Sequence, residues 1–223
     1  MLIAGLWLRH SAWDAVVESL ERRGHRALPV ALPGVDDAPR AATLDDQLAA
    51  TLAVVDDAVR PMVVGHSAAC SLAWMVADRR PGAIDRVVLV GGFPSADGET
   101  YADFFPPAKG LMPFPGWERF DGADSADLDQ PTRERIGAGP PVPVGVSQGI
   151  VRLGDERRYG VPVLLVCPEY DPDQARAWIA GGDVPELTPA NNVAYADIDS
   201  GHWPMFTRPV ELAAILDAAA REG

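Results

Sequence analysis

MVVGHSAACSLAW, residues 62–74, runs a short apolar stretch straight into a helix-forming one, with Ser67 at the turn between them. A Val-rich run of strand length followed by a longer run of small and apolar residues reads as a buried strand entering a helix. Two readings of Ser67 compete. In the first it is an N-cap, a common structural role for serine where a helix begins. In the second, Gly65-His66-Ser67-Ala68-Ala69 is a nucleophile elbow, a tight strand-to-helix turn that lifts the hydroxyl clear of the sheet. The hydroxyl then lies at a helix N-terminus, whose dipole favours a developing negative charge. Such a turn leaves room only for small flanking residues, which Gly65 and Ala69 supply. The motif alone is weak, so the rest of the chain must decide.

Outward from the elbow, apolar runs rich in Val, Leu and Ile recur at 2–5, 26–32, 61–65, 86–91, 161–167 and 193–198. Helical patterning separates them, and short buried strands alternating with helices indicate a parallel sheet covered on both faces. The first helix falls in SAWDAVVESLERRGH, with Ser11 as its N-cap and Gly24 as its stop. The second falls in TLDDQLAATLAVVDDAV, capped by Thr43, and the third starts at or just after Ser67 and runs to about Arg80. A short helix around 173–180 and a last one over 207–221, with Pro209 in its first turn, follow. The alternation breaks over 100–160, where no sustained strand is legible. A gap of that length inside an alternating fold reads as an insertion over one sheet edge. The expected organisation is a core of 1–99 and 161–223 with a small cap or lid of 100–160, together one domain.

Composition narrows the function classes. The 223 residues, 48% of them hydrophobic, can bury a sizeable core. Thirty-two acidic against 19 basic residues give a net charge of −13, which repels phosphate backbones and anionic membrane surfaces. Nucleic-acid and membrane roles are therefore set aside, and a small-molecule substrate is expected. Cys70 and Cys167 are too few for a disulfide framework, and no Cys/His spacing has the form of a metal site. No metal and no cofactor are expected. The opening MLIAGLWLRH lacks a basic segment before its apolar run, and a reducing, cytoplasmic setting fits best. The oligomeric state is not legible.

A serine hydroxyl needs a base within hydrogen-bonding reach, and the chain has four histidines. His10 lies in the first loop, His25 before the second apolar run, and His66 points away from its neighbour. His202, in DIDSGHWPMF, follows the last strand on the sheet edge where the elbow opens, and is the expected base. The orienting acid should stand on the same edge. VPVLLVCPEYDPDQ offers Asp171, preferred because it lies further into its loop, and Glu169 as second choice, while Asp97 after VVLVGGFPS is third. Finding both a base, His202, and an acid, Asp171, in matching loops favours the elbow over the cap.

The order Ser67, Asp171, His202, with the elbow GHSAA and the terminal SGHW, resembles the α/β-hydrolase family over nearly the whole chain, from LIAG to the last helix. The resemblance implies a three-layer α/β/α sandwich whose mostly parallel sheet has about six strands, since the family's two N-terminal strands have no counterpart here. It implies an oxyanion hole from the backbone N–H of Ala68 and of Leu6, with Trp7 as the neighbouring alternative. Ala69 stands where the family usually has Gly, and Ala4 where a His commonly precedes the glycine of the oxyanion loop.

The expected activity is hydrolysis of a small or medium, largely uncharged ester, thioester or lactone through an acyl-enzyme. Lyase, isomerase or cyclase chemistry on the same triad, and non-catalytic ligand binding, remain open. Trp7, Trp13, His66, Phe93, Phe104, Phe105, Trp117, Trp203 and Met205 are the candidate substrate contacts, about half of them expected to face a pocket. Cys70 reads as a small buried hydrophobe, and the carboxylates of DGADSADLD as a solvated face.

Overall fold

The computed structural model describes residues 1–37 and 41–221. In chain order the elements are β1 (Leu2–Ile3), α1 (Asp14–Arg22), α2 (Leu44–Asp56), β2 (Val63–His66), α3 (Ala69–Arg79) and β3 (Val87–Val90). Next come β4 (Leu111–Met112), α4 (Gln130–Gly137), β5 (Val142–Pro143) and α5 (Val144–Ser147). The chain closes with β6 (Val163–Cys167), α6 (Pro172–Gly181), β7 (Val193–Asp197), α7 (Pro204–Thr207) and α8 (Pro209–Arg221).

Five strands form one sheet in the order β1-β2-β3-β6-β7, every neighbouring pair parallel. Each residue of the three central strands is buried, which is why their sequences are continuous Val and Leu runs rather than alternating ones. The two-residue period of a strand divides those side chains between two cores. Val63, Val87, Leu89, Val163 and Leu165 face the cluster that holds α2, α3 and α6. Val64, Val88, Val90, Leu164 and Val166 face the cluster that holds α1 and α8. The result is a three-layer α/β/α sandwich.

The expected sixth strand, 26–32, is reduced to a bridge. The Leu2 N–H donates to Leu28 O and the Val30 N–H to Leu2 O, both at 2.9 Å, and pairing stops there. Pro29 has no N–H to extend a ladder, and β1 offers only two residues to pair with. Capping at Thr43 follows the sequence, in a full capping box with Asp46. Ser11 is different, since it lies inside a 3-10 turn, 10–13, and α1 starts from Trp13 without a side-chain cap.

Between 100 and 160, β4 and β5 pair antiparallel as a separate two-stranded ribbon, and α4, α5 and a 3-10 turn at 117–120 surround it. Met112, Val142 and Val146 join the first core cluster and Ile136 the second, so the segment is packed onto the sandwich. Among the described residues no helix is long and apolar enough to cross a membrane.

Candidate active site

The turn after β2 is tight. The Ser67 N–H donates to Val90 O at 2.9 Å, carrying the β2–β3 pairing one residue past the strand. Ser67 itself adopts φ of +55°, the left-handed region that serine avoids without outside support. A Cβ on Gly65 would come 2.4 Å from Ala69 O and 3.0 Å from the Ala73 Cβ, so only glycine lets α3 lie this close to β2. The cap reading of Ser67 does not hold, because the N-cap of α3 is Ala68 with no side-chain bond. The Ser67 hydroxyl instead meets His202, its Oγ 2.9 Å from Nε2.

His202 lies in the loop after β7, and its Nδ1 is 2.7 Å from Glu169 Oε1. Each of these two side chains is 15% exposed. With Nδ1–H donated to the carboxylate, Nε2 presents its lone pair to the Ser67 hydroxyl. The acid in contact with His202 is thus Glu169, and the expectation for Asp171 is corrected. Asp171 is the N-cap of α6, its Oδ1 accepting the Asp173 and Gln174 N–H at 2.8 Å each. Its own N–H donates to Gln174 Oε1 at 2.9 Å, which completes a capping box. Asp97 accepts the Leu153 N–H on an exposed loop and does not approach His202.

His66 is 1% exposed and donates from Nε2 to the carbonyl of His202 at 2.7 Å. Burial, helped by the neighbouring His202, holds its imidazole down to about 3. It is therefore neutral near pH 7. Cys70 is fully buried with its Sγ on Gly65 O at 3.4 Å, and burial pushes the thiol up. The thiolate needed for reaction is suppressed.

Over the Ser67–His202 pair lies a cavity of about 150 Å³ lined by Leu6, Trp7, His66, Phe104, Phe105, Phe120 and Trp203. Of the candidate contacts, Trp7, His66, Phe104, Phe105 and Trp203 line it and four do not. Trp13 and Met205 are core residues beside α1 and α8, Phe93 stacks on Tyr170 with centroids 5.4 Å apart, and Trp117 packs behind Trp203. Phe120 was missed. It follows Trp117 by three positions in a 3-10 turn, which puts the two on one side, yet Trp117 packs on Trp203 while Phe120 lines the cavity, a difference that their spacing does not carry. Trp7 has φ of +60° and donates its indole N–H to Met112 O at 3.1 Å, which ties the loop after β1 to the ribbon above. The backbone amides of Leu6, Trp7 and Ala68 have no protein acceptor among the described residues. Three larger clefts, of about 200, 400 and 460 Å³, lie elsewhere and are lined by neither Ser67 nor its partners. Among the described residues no three His, Cys, Asp or Glu side chains gather as metal ligands would.

The chain matches the alpha/beta hydrolase family over residues 1–215. No curated protein matches it. Among solved structures it is similar to an extracellular α/β-hydrolase from a Paenibacillus species that shares homology with tobacco salicylic acid binding protein 2, at 18% identity and a TM-score of 0.78, covering 98% of this chain and 97% of that one. A methylesterase from Arabidopsis is similar at 16% identity and a TM-score of 0.76, with all of both chains covered. A pyrethroid hydrolase from Sphingobium faniae follows at 19% and 0.72, over 100% of this chain and 98% of that one. At these identities the likeness is one of fold.

Proposed function

The chain belongs to the alpha/beta hydrolase family, and we propose that it hydrolyses a small, largely uncharged carboxylic ester, thioester or lactone through an acyl-enzyme on Ser67. The observation that carries this reading is the continuous contact from Ser67 Oγ through His202 to Glu169, at 2.9 and 2.7 Å. Ser67 Oγ attacks the acyl carbonyl carbon while His202 Nε2 takes its proton. Glu169 holds the imidazole in the required tautomer and stabilises the imidazolium. The amides of Leu6 and Ala68, unengaged by other groups among the described residues, receive the oxyanion. The alcohol, thiol or ring oxygen or sulfur then leaves with the proton from Nε2. Water, deprotonated by the same nitrogen, attacks the acyl carbon and restores Ser67.

Size and charge argue for the substrate class. The cavity is smaller than the ~300 Å³ at which drug-sized pockets begin, and among the described residues no cationic side chain lines it. Glu169 stands just behind it, so an anionic substrate would meet repulsion without a partner. The segment 100–160 serves in this reading as the cap, since Phe104, Phe105 and Phe120 close the cavity from that side. A reducing, cytoplasmic setting is part of the same proposal, supported by Cys70 and Cys167, both buried and unpaired.

The test is intact mass after exposure to a small fluorophosphonate, whose phosphorus is attacked by an activated serine with loss of fluoride. One adduct is expected on the native protein, none on Ser67→Ala, and a strongly slowed one on His202→Ala. An unlabelled native protein would sink the acyl-enzyme reading.

A further inference from the structure

In 121–129, whose carboxylates were expected to form a solvated face, one side chain and one backbone carbonyl instead reach the loop of His202. Asp127 Oδ2 accepts the N–H of Gly201 at 2.9 Å, and Asp124 O accepts the N–H of His202 at 2.8 Å. The carbonyl of His202 is held in turn by His66. Three of the four backbone polar groups of Gly201 and His202 are therefore held from outside the histidine's own loop, two of them by the segment over the site, while Gly201 O accepts from the neighbouring Ser200 Oγ at 2.6 Å. The approach is close enough to demand glycine, since a Cβ on Gly201 would fall 2.3 Å from Asp124 O and 2.6 Å from Asp127 Oδ1.

The loop that supplies these acceptors is itself clamped. Arg133, on α4, donates from Nη2 to Ser125 O at 2.6 Å and to Ser125 Oγ at 3.1 Å, and Ser125 is fully buried. Asp127 keeps its other oxygen, Oδ1, buried with no protein partner among the described residues. A buried carboxylate oxygen left unpaired costs stability, so stability alone does not account for an aspartate here.

We infer that Asp127 is a positioning residue for His202, and that the segment covering the cavity also holds the base against Ser67. The direction of an imidazole is set by the backbone that carries it, and a displacement of about 1 Å at a reacting group costs on the order of a hundredfold in rate. Releasing Gly201 frees the backbone immediately before His202, so Nε2 can drift from Ser67 Oγ and Nδ1 from Glu169. This inference rests on the role proposed above for the Ser67–His202 pair.

Two readouts test it, one of which does not require activity. The first is the rate of fluorophosphonate adduct formation in the native protein, Asp127→Ala and Asp127→Asn, with thermal unfolding of each. Asp127→Ala should lower the maximal inactivation rate about 10- to 100-fold without raising the concentration for half-maximal rate. Asp127→Asn, which keeps an oxygen acceptor, should recover most of that loss. The second is the downfield proton resonance of His202 Nδ1–H, identified by its absence in His202→Ala. It should be sharp in the native protein and Asp127→Asn, and broadened or lost in Asp127→Ala. If Asp127→Ala does not fold, Gly201→Ala should do the same by forcing the two loops apart. A native rate and native resonance in the released variants would overturn the positioning role. A native protein that is not labelled counts against the acyl-enzyme reading instead, and the resonance still decides the role of Asp127.

Discussion

Neutralising Glu169 should remove most of the turnover, while removing Asp171, two residues away, should remove little. When the proton of Ser67 reaches His202 Nε2, the new imidazolium faces the Glu169 carboxylate across the 2.7 Å contact between Nδ1 and Oε1. With charge centres about 4 Å apart and an effective dielectric near 20, the attraction is about 4 kcal/mol. Both side chains are only 15% exposed, so salt screens it weakly. Glu169→Gln keeps the shape but loses that charge, and its amide N–H₂ can drive the imidazole to the tautomer with hydrogen on Nε2. At 1.36 kcal/mol per tenfold, kcat on 4-nitrophenyl acetate should fall about a thousandfold. Asp171→Ala removes a helix cap shared by two amides, worth about 1 kcal/mol of stability in urea unfolding. Its kcat should stay within about threefold. A thousandfold loss in Asp171→Ala with a mild effect in Glu169→Gln would refute the assignment of the acid and the tautomer argument with it.

Two further outcomes concern stability. Arg158 binds Glu186 at 3.0 Å and Asp78 at 3.3 Å, all three side chains at most 8% exposed. Arg158→Leu leaves the buried Glu186 carboxylate without its cation and Asp78 with Arg79 alone, and should cost about 3–5 kcal/mol, a fall in Tm of roughly 6 °C or more. A smaller shift in calorimetry would show that Arg79 and the amides of Gly154 and Asp155 on Asp78, and the Trp74 indole on Glu186, suffice. His66, held down to about 3 when folded, returns to the ordinary 6.5 of imidazole on unfolding. Between those values the unfolded chain binds a proton that the folded chain refuses. Its contribution is therefore complete above pH 6.5 and is lost as the pH falls towards 3. From pH 7 to pH 5 the native protein should lose about 2 kcal/mol more than His66→Gln in urea unfolding, and equal losses would contradict the neutral, buried state of His66.

Most of the sandwich was legible because its causes are local. Val-rich runs of strand length, Thr43 with Asp46 three residues on, and Gly65 against Ala69 each state their structure within a few residues. The acid was misassigned although a local signal was present: Asp171, Pro172 and Gln174 spell a capping box with proline in the first turn. That commitment takes the Asp171 carboxylate to α6 and leaves Glu169 for His202. The sixth strand failed for a similar reason, since hydrophobicity marked 26–32 while Pro29 denied it a ladder. What sequence could not supply was the path of 100–160. Whether Trp117 or Phe120 reaches the cavity, and whether Asp127 meets solvent or Gly201, depends on how that segment folds back over the sheet, which no periodicity records.

The two halves of the site are held by different means, and this decides where it is vulnerable. Ser67 is strained, at a cost on the order of 1–3 kcal/mol, yet its surroundings leave it no alternative. It is bonded to Val90 in the sheet and precedes a helix in which every residue but Arg79 is buried. A core packed on all sides does not yield to small forces, so the nucleophile stays where the fold puts it. His202 has no such frame. It stands on a loop between β7 and α7, and its backbone is fixed by single hydrogen bonds to His66 and Asp124, with Asp127 holding the residue before it. Any substrate large enough to lift Phe104, Phe105 and Phe120 would also strain the segment that carries Asp124 and Asp127. In the reaction proposed above such a substrate would loosen the base that must act on it, and the cover would discriminate by size twice, once by filling the cavity and once by its grip on His202.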